Sequence, residues 1–491
     1  MTVAQRSYPA WKAPADDGQV MVWPEIPQLI ASVQPCVPPA LQGAHAEIRR
    51  DMRAFLGLAG DAPVIAAGHQ IELHHPGVWV KNVLIDTLAR RTGGQAVHFA
   101  VDTDEPKHLS LRWPGGSVPI TDDPALSTAA WSGLVELPTP AHLRLVRSEL
   151  EAAGRQWNFE PMIGAFLDSM QRLLLESPSL VNAVANATHE LEWNLGLRHH
   201  VMIASPMWQS RPYMAFVHDI IANLGQFARD YNDSLAEYRK AAGIKSPGRP
   251  MPDLKLSGDV AEAPFWCDDM ASGARQRASV RLMQDQWTLE AGGDRFTFDP
   301  TRNPLETADD LLAFLRHRHL QLSPRAITLT MFVRVFVADL FIHGIGGGQY
   351  DQVTDRLIER RYRIAPPPFG VATATLYFPA AAGRARTCVS CIEQEGHRLR
   401  HNLLGEAKRE MVRQIESLPR GSRERRQAFY EMHRRLDSAA LNSPVMRDWQ
   451  ERLHAAQSTE REEAALFDRE LFFALQPRQR LEHIINRLNE G

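Results

Sequence analysis

Apolar residues in this chain recur with two different periods, and the switches between them outline its elements. Ala62-Pro-Val-Ile-Ala-Ala67 is an apolar run that suits a buried strand. Gly68-His-Gln-Ile-Glu-Leu-His-His-Pro-Gly77 follows as a turn-rich connection. From Val78 to Arg91 the apolar positions Val80, Val83, Leu84 and Leu88 recur at three and four residues, which predicts a helix ended by Gly93-Gly94. Ala96-Val-His-Phe-Ala-Val101 is a second buried run. Strand, helix and strand in that order predict a parallel sheet with a right-handed crossover. Loops leaving such strands lie at the edge where α/β folds bind ligands.

Further along, Leu109 to Ile120 predicts a hairpin around Pro114-Gly-Gly116. Residues 140–196 read as helices, with Met162, Phe166, Met170 and Leu174 spaced by four. Val201-Met-Ile-Ala204 suits another core strand, and Tyr213 to Arg239 a single helix. Short alternating runs (Ser279–Met283, Gln286–Leu289, Arg295–Phe298) predict a small antiparallel β insertion over 250–300. Leu329 to His343 returns to α/β character. The tail differs in kind. Between Glu393 and Glu470, 15 basic and 15 acidic residues stand among 78, while Leu399, Leu403, Ala407, Met411 and Ile415 recur by four. Leu418-Pro-Arg-Gly421 breaks that helix, and Asn442-Ser-Pro444 precedes another through Trp449, Leu453 and Leu466. This pattern predicts an antiparallel helical coiled coil laced with salt bridges, either a solvated arm or a dimerisation element.

Charge and composition exclude several classes. The 491 residues carry 55 basic and 58 acidic side chains, a net charge of −3, so no global field grips nucleic acid or anionic membrane. Tail charges alternate in sign rather than forming a basic stripe, which also disfavours nucleic acid. With 44% apolar residues the chain is too hydrophobic to be disordered. Met1 to Asp17 lacks a signal pattern, and the apolar stretch Ile327–Ile345 is interrupted by Arg334, Asp339 and His343. Four cysteines (Cys36, Cys267, Cys388, Cys391) make no disulfide framework, so a reducing cytoplasm is expected. Cys388-Val-Ser-Cys391 reads as two small residues opening a helix rather than as a redox or metal pair. The 19 histidines are generous for this length.

Three constellations carry candidate chemistry. In the first, Gly68 lets backbone approach a ligand, His69 can move protons near neutral pH and Gln70 can orient substrate or water. Lys81 and Asn82 follow on a helix whose start near Pro76-Gly77 offers free N–H groups, so Lys81 can meet a phosphate or carboxylate. His74 is counted with the substrate-binding groups; against this, His74 and His75 also read as helix caps and Lys81 as surface charge. The second is Asp102-Thr-Asp104-Glu105, with Lys107 and His108, suited to a cation, a ribose or an ammonium group. No dedicated metal site is expected there, because no spaced His or Cys ligand set accompanies it. In the third, His343 stands at a glycine-rich turn, Gly344, Gly346, Gly347 and Gly348, before Tyr350, Asp351, Thr354 and Asp355 enter a helix. Such glycines can cradle a phosphate, although the string is neither a Walker loop nor Gly-x-Gly-x-x-Gly.

Gly68-His-Gln70, Pro76-Gly77, Lys81 and the Asp102–Glu105 cluster resemble bacillithiol synthase, the cysteine-adding enzyme of low-molecular-weight thiol biosynthesis. That family has Gly-Gln-Gln, a Gly-Pro turn, a lysine-bearing helix and an acidic-histidine loop after the next strand. Ser323-Pro324, Gly346-Gly347 and a terminal coiled coil continue the same order. His69 stands where the family has a second Gln, and Gly-Gly-Gly-Gln replaces its Gly-Pro-Gly-Glu turn, with His343 added. The resemblance implies an α/β fold with a Rossmann-like parallel-sheet core, like class I nucleotidyltransferases, and a coiled coil used for dimerisation. It also implies joining a cysteine amine to a sugar, with an adenine nucleotide as the one cofactor in view.

The expected division is a first half of the core over 1–135, a helical insertion over 136–200 and a core continuation over 201–249. A β insertion over 250–300, the second half of the core over 301–383 and a helical arm over 384–491 complete it. The expected activity is a cytoplasmic ligase for small molecules, dimeric through the arm, with no membrane or nucleic-acid partner. His69 or His343 serves as acid/base, Asp102 or Asp104 meets an amine or ribose hydroxyl, and the glycines from 344 to 348 contact phosphate or carboxylate. The alternatives are nucleotidyl transfer that activates a carboxylate with ATP, and a nucleotide-binding scaffold whose arm recruits a partner.

Overall fold

Six strands form the central sheet in the computed structural model, which describes residues 8–33, 40–58, 60–283, 286–384 and 386–491. Cys36 and Met1 to Ser7 lie outside the described residues. The strands are β1 (Gln19–Trp23), β2 (Val64–Gln70), β3 (Gln95–Val101), β4 (His200–Ile203), β5 (Leu340–His343) and β6 (Phe369–Thr375). Their spatial order is β1-β6-β5-β2-β3-β4. All neighbours from β6 to β4 are parallel, and only β1 runs antiparallel, on β6. The architecture is mixed α/β, as the apolar runs predicted. From β2 the chain builds outward through β3 and β4, then returns to the other side of β2 with β5 and β6. The order therefore reverses between β2 and β5.

Helix α1 (Pro76–Thr92) makes the crossover from β2 to β3. Pro76 opens it, the His75 ring accepts from the Gly77 N–H at 3.1 Å, and Gly93 ends it at φ 68°. It is buried from Pro76 to Ala89, polar residues included, so it is a core helix rather than an amphipathic surface one. The carboxyl-terminal helix Arg478–Glu490 packs on it, Thr87 donating to Asn489 Oδ1 at 2.9 Å.

Four expectations are corrected. The strand read as Ala62–Ala67 runs on through Gly68-His69-Gln70, which pair with Phe99, Ala100 and Val101, so the triplet is strand end and not loop. The helix expected from Tyr213 to Arg239 is two, Arg211–Ala222 and Leu224–Ala241, because Asn223 leaves helical geometry. The β insertion reaches beyond 300: Leu320–Pro324 pairs antiparallel with Val260–Asp269, Leu322 opposite Cys267. Pro324, lacking an N–H, is tolerated because that strand is the sheet's edge. The glycine-rich turn is instead the start of a helix, whose packing is described with the site below.

Residues Phe378–Asp468 form a unit of their own, while Arg469–Gly491 belong to the first unit, which corrects the expected arm of 384–491. Within the arm, Val389–Asn402 packs against Pro444–Glu463 and Gly405–Ser417 against Arg423–Leu441. The helix expected through Leu399–Ile415 is broken at Leu403-Leu404, before Gly405 at φ 48°. Trp449 donates to the Ile392 carbonyl at 2.7 Å and covers Gly396, where a Cβ would lie 2.1 Å from the indole. Cys388 and Cys391 do open a helix, but as a disulfide rather than as the free thiols expected. No helix among the described residues is long and apolar enough to cross a membrane.

Candidate functional site at the carboxyl edge of the sheet

The parallel strands β2 to β6 end on one edge, and ligands of open α/β sheets enter the crevice where strand order reverses. Ile342 pairs with Ala67, so one step further His343 comes level with Gly68. The Phe341 ring faces Gly68, with 3.5 Å between Phe341 Cζ and a Cβ built there. The first and third constellations thus meet across the β2/β5 crevice. Gln70 donates to the Asp104 carboxylate, which ties the second constellation to the end of β2. Asp102, buried, accepts from the Ser205 N–H at 3.0 Å beyond β4. Burial raises the pKa of Asp102 above the usual carboxylate range.

His69 is a partly accessible group with acid–base capacity in this edge cluster. Its side chain is 28% exposed, and Nδ1 lies 3.2 Å from Glu72 Oε1. Burial, then the nearby Lys81 charge, holds its pKa well below the usual histidine value. Nothing in the local pattern marked Glu72, which the strand end turns inward. Burial pushes its pKa up to about 7.

Lys81 is neither an anion ligand nor surface charge. It is 1% exposed and donates from Nζ to the Gly68 carbonyl at 3.0 Å. Burial lowers its pKa to about 7, against the pull of Glu72. Asn82 is also withdrawn from the crevice, its Nδ2 donating to Glu192 Oε1 at 2.7 Å. His75 caps α1, whereas buried His74 pairs through Nε2 with the Gln70 carbonyl at 3.2 Å and is no cap. Helix burial explains these corrections: α1 is buried from Pro76 to Ala89, so its polar side chains are paired with groups of neighbouring elements.

Glu72 and Lys81 yield a pH prediction. Between about 4.5 and 7 the folded state keeps a proton on Glu72 that the unfolded chain releases, so this contribution to stability falls as pH rises. From about 7 towards 10.5 the unfolded chain keeps a proton on Lys81 that the folded state has lost, so stability rises again. Tm measured across pH 4.5 to 10 is expected to dip near 7, and Glu72→Gln to flatten the acid side of that dip. A variant with the wild-type profile on that side contradicts the assignment.

Helix α2 (Leu180–Asn194) and helix α3 (Ala326–Phe336) flank the sheet, and helix α4 (Ile345–Tyr362) follows β5 directly. Gly344 is the N-cap of α4, and Gly346, Gly347 and Gly348 fill its first turn. A Cβ at Gly347 would lie 2.6 Å from His343 Nδ1, and one at Gly348 2.4 Å from Val371 Cγ2. Those two glycines answer close packing; Gly344 and Gly346 have open space. No side chain caps α4, whose first N–H groups are suited to an anion. His343 Nε2 lies 2.7 Å from Asp351 Oδ2, which also takes Arg334 at 2.8 Å. Asp351, expected to bind substrate, is fully buried in this ion pair and cannot; Tyr350 is half-buried.

Five imidazoles run inward from the edge. Ring centroids are 5.4 Å apart for His69 and His74, 5.6 Å for His74 and His98, and 6.5 Å for His98 and His199. His189 lies 5.2 Å beyond His199. His189, Glu192 and His199 are the one group among the described residues with geometry for a metal ion, each offering a ligand atom within 4.8 Å of the others. Along the sequence only His189 and Glu192, at i and i+3, share a helix face; His199 joins them through the fold. No protein-family model matches this chain, and no curated protein matches it. Fold and site together define a mixed α/β chain with a histidine-rich crevice at the carboxyl edge of its parallel strands.

Proposed function

We propose that this chain is a bacillithiol-synthase-like ligase with a Rossmann-like core, active in the cytoplasm. It forms a C–N bond between an amine, such as that of cysteine, and a small sugar-type acceptor, whose carbon gives up a bond to oxygen, with water or phosphate leaving, as the amine gives up a proton. One observation carries this reading: the crevice at the strand reversal is flanked by His69 with Glu72 on one side and by His343 with the uncapped start of α4 on the other. The α4 N–H groups suit a phosphate or carboxylate, including that of an adenine nucleotide. His69, neutral at pH 7, is suited to take the proton that the amine loses as the bond forms. Asp104, held by Gln70, is the available carboxylate for an ammonium or ribose hydroxyl.

The test is a thermal-shift screen with ATP, ADP, cysteine and amino sugars, followed by mass spectrometry of paired substrates. Ligand stabilisation with a C–N product that disappears in His69→Ala supports the ligase. Pyrophosphate release favours nucleotidyl transfer, and stabilisation by nucleotide without turnover favours a scaffold.

The arm is read as the dimerisation element. Phe429 and Tyr430 are 48% and 72% exposed beside a groove of about 530 Å3 that Val412 and Ile415 also line. Apolar surface of this kind on a charged arm suits a second copy. The full chain is expected to run as a dimer in light scattering, and Phe429→Glu with Tyr430→Glu to run as a monomer. A monomeric wild type contradicts the assignment.

A further inference from the structure

We propose that His189, Glu192 and His199 hold a divalent transition-metal ion of the zinc type, in a site separate from the crevice. His189 and Glu192 stand one turn apart on α2, and His199 immediately precedes β4. One ion would therefore tie the helix to the start of the strand it leads into. Glu192 is 0% and His199 1% exposed, yet each keeps buried polar atoms that make no hydrogen bond. Both ring nitrogens of His199, Glu192 Oε2 and His189 Nδ1 are buried without a hydrogen-bond partner. His199 Nε2 lies 3.0 Å from Glu192 Oε2 as an ion pair, which still leaves His199 Nδ1 and His189 Nδ1 unanswered. Buried polar groups are rarely left this way, because each orphan has lost its hydration without a compensating bond. A cation accepting their lone pairs removes that cost at several atoms together.

The donor set is selective. Two imidazoles and a carboxylate suit zinc and its neighbours rather than magnesium or calcium, which favour all-oxygen shells. Ligand atoms within 4.8 Å of one another need only modest side-chain closure to reach the ~3.4 Å spacing implied by tetrahedral bonds of ~2.1 Å. Asn82 already holds the second Glu192 oxygen, the outer-shell hydrogen bond that orients a ligating carboxylate. A cavity of about 10 Å3 lined by Asn82, His98, Thr188 and Glu192 sits alongside, close to the size of one water that could complete the shell.

The full chain, stripped with chelator and checked by circular dichroism, is titrated with Zn2+ and separately with Co2+. Expected are one ion bound per chain, a raised Tm and visible Co2+ absorption of tetrahedral intensity. His189→Ala, at a half-buried position where folding survives, is expected to weaken Zn2+ affinity at least ~100-fold and abolish the Co2+ bands. Glu192→Gln is expected to weaken affinity as well. Folded wild type that takes up neither ion, or uptake that His189→Ala and Glu192→Gln leave unchanged, overturns the site. These readouts are independent of turnover, so the ligase reading can fail while the metal site stands, and the reverse.

Discussion

Replacing Arg334 with Met is expected to destabilise the first unit by about 3–5 kcal/mol, the cost of leaving buried charge unpaired. Arg334 is wholly buried and donates to Asp351 at 2.8 Å, to Asp355 at 2.6 Å and to the Pro367 carbonyl. Its guanidinium also lies 5.1 Å from the centre of the Phe369 ring. Asp351 has no exposure either, so removing the cation leaves two carboxylates in a low-dielectric interior with only His343 and Tyr8 to answer them. Loss then spreads to the crevice, because Asp351 is what holds the His343 ring. Urea unfolding followed by tryptophan fluorescence measures the effect. Adding Asp351→Asn and Asp355→Asn to Arg334→Met is expected to recover part of the loss, since the stranded charges are then gone. A single variant within 1 kcal/mol of wild type would mean that water reaches this network.

His69→Ala is expected to lower turnover of the proposed ligation by about 10²–10⁴-fold, the usual contribution of a positioned acid or base. His69 rather than His343 is the choice, because His343 is nearly buried and already committed to Asp351. The sign of the pH dependence follows from its lowered pKa. A base works in its neutral form, so kcat/KM should stay flat to well below pH 6.5 and fall only in more acidic solution. That acid limb should vanish in His69→Ala. Retention of turnover within threefold, with the limb intact, would remove His69 from the mechanism.

Much of the scaffold was legible along the chain because it depends on local periodicity. Apolar runs placed β2, β3 and β4, and three-four spacing placed α1 with its glycine stop. The charge-balanced tail declared its helices. Positions of candidate groups at strand ends were also readable, so Gly68, His69, Gln70, Asp104 and His343 do share an edge.

Tertiary packing decided what those groups can do. Lys81, Asn82 and Asp351 look available in sequence, but α1 and α4 bury them against Gly68, Glu192 and Arg334. The glycines before Tyr350 read as a ligand cradle, yet Gly347 and Gly348 are small because His343 and Val371 press on them. His189, Glu192 and His199 joined no pattern, since the strand start that brings His199 to the α2 face is a long-range event. The same holds for part of the generous histidine count: His98, His189 and His199 join His69 and His74 in one row of rings. Sequence alone determined β2, β3, β4 and most of the helical stretches, because hydrophobic periodicity acts over neighbouring turns. Only the folded chain decided which polar groups are free, because burial and pairing arise between residues far apart along it.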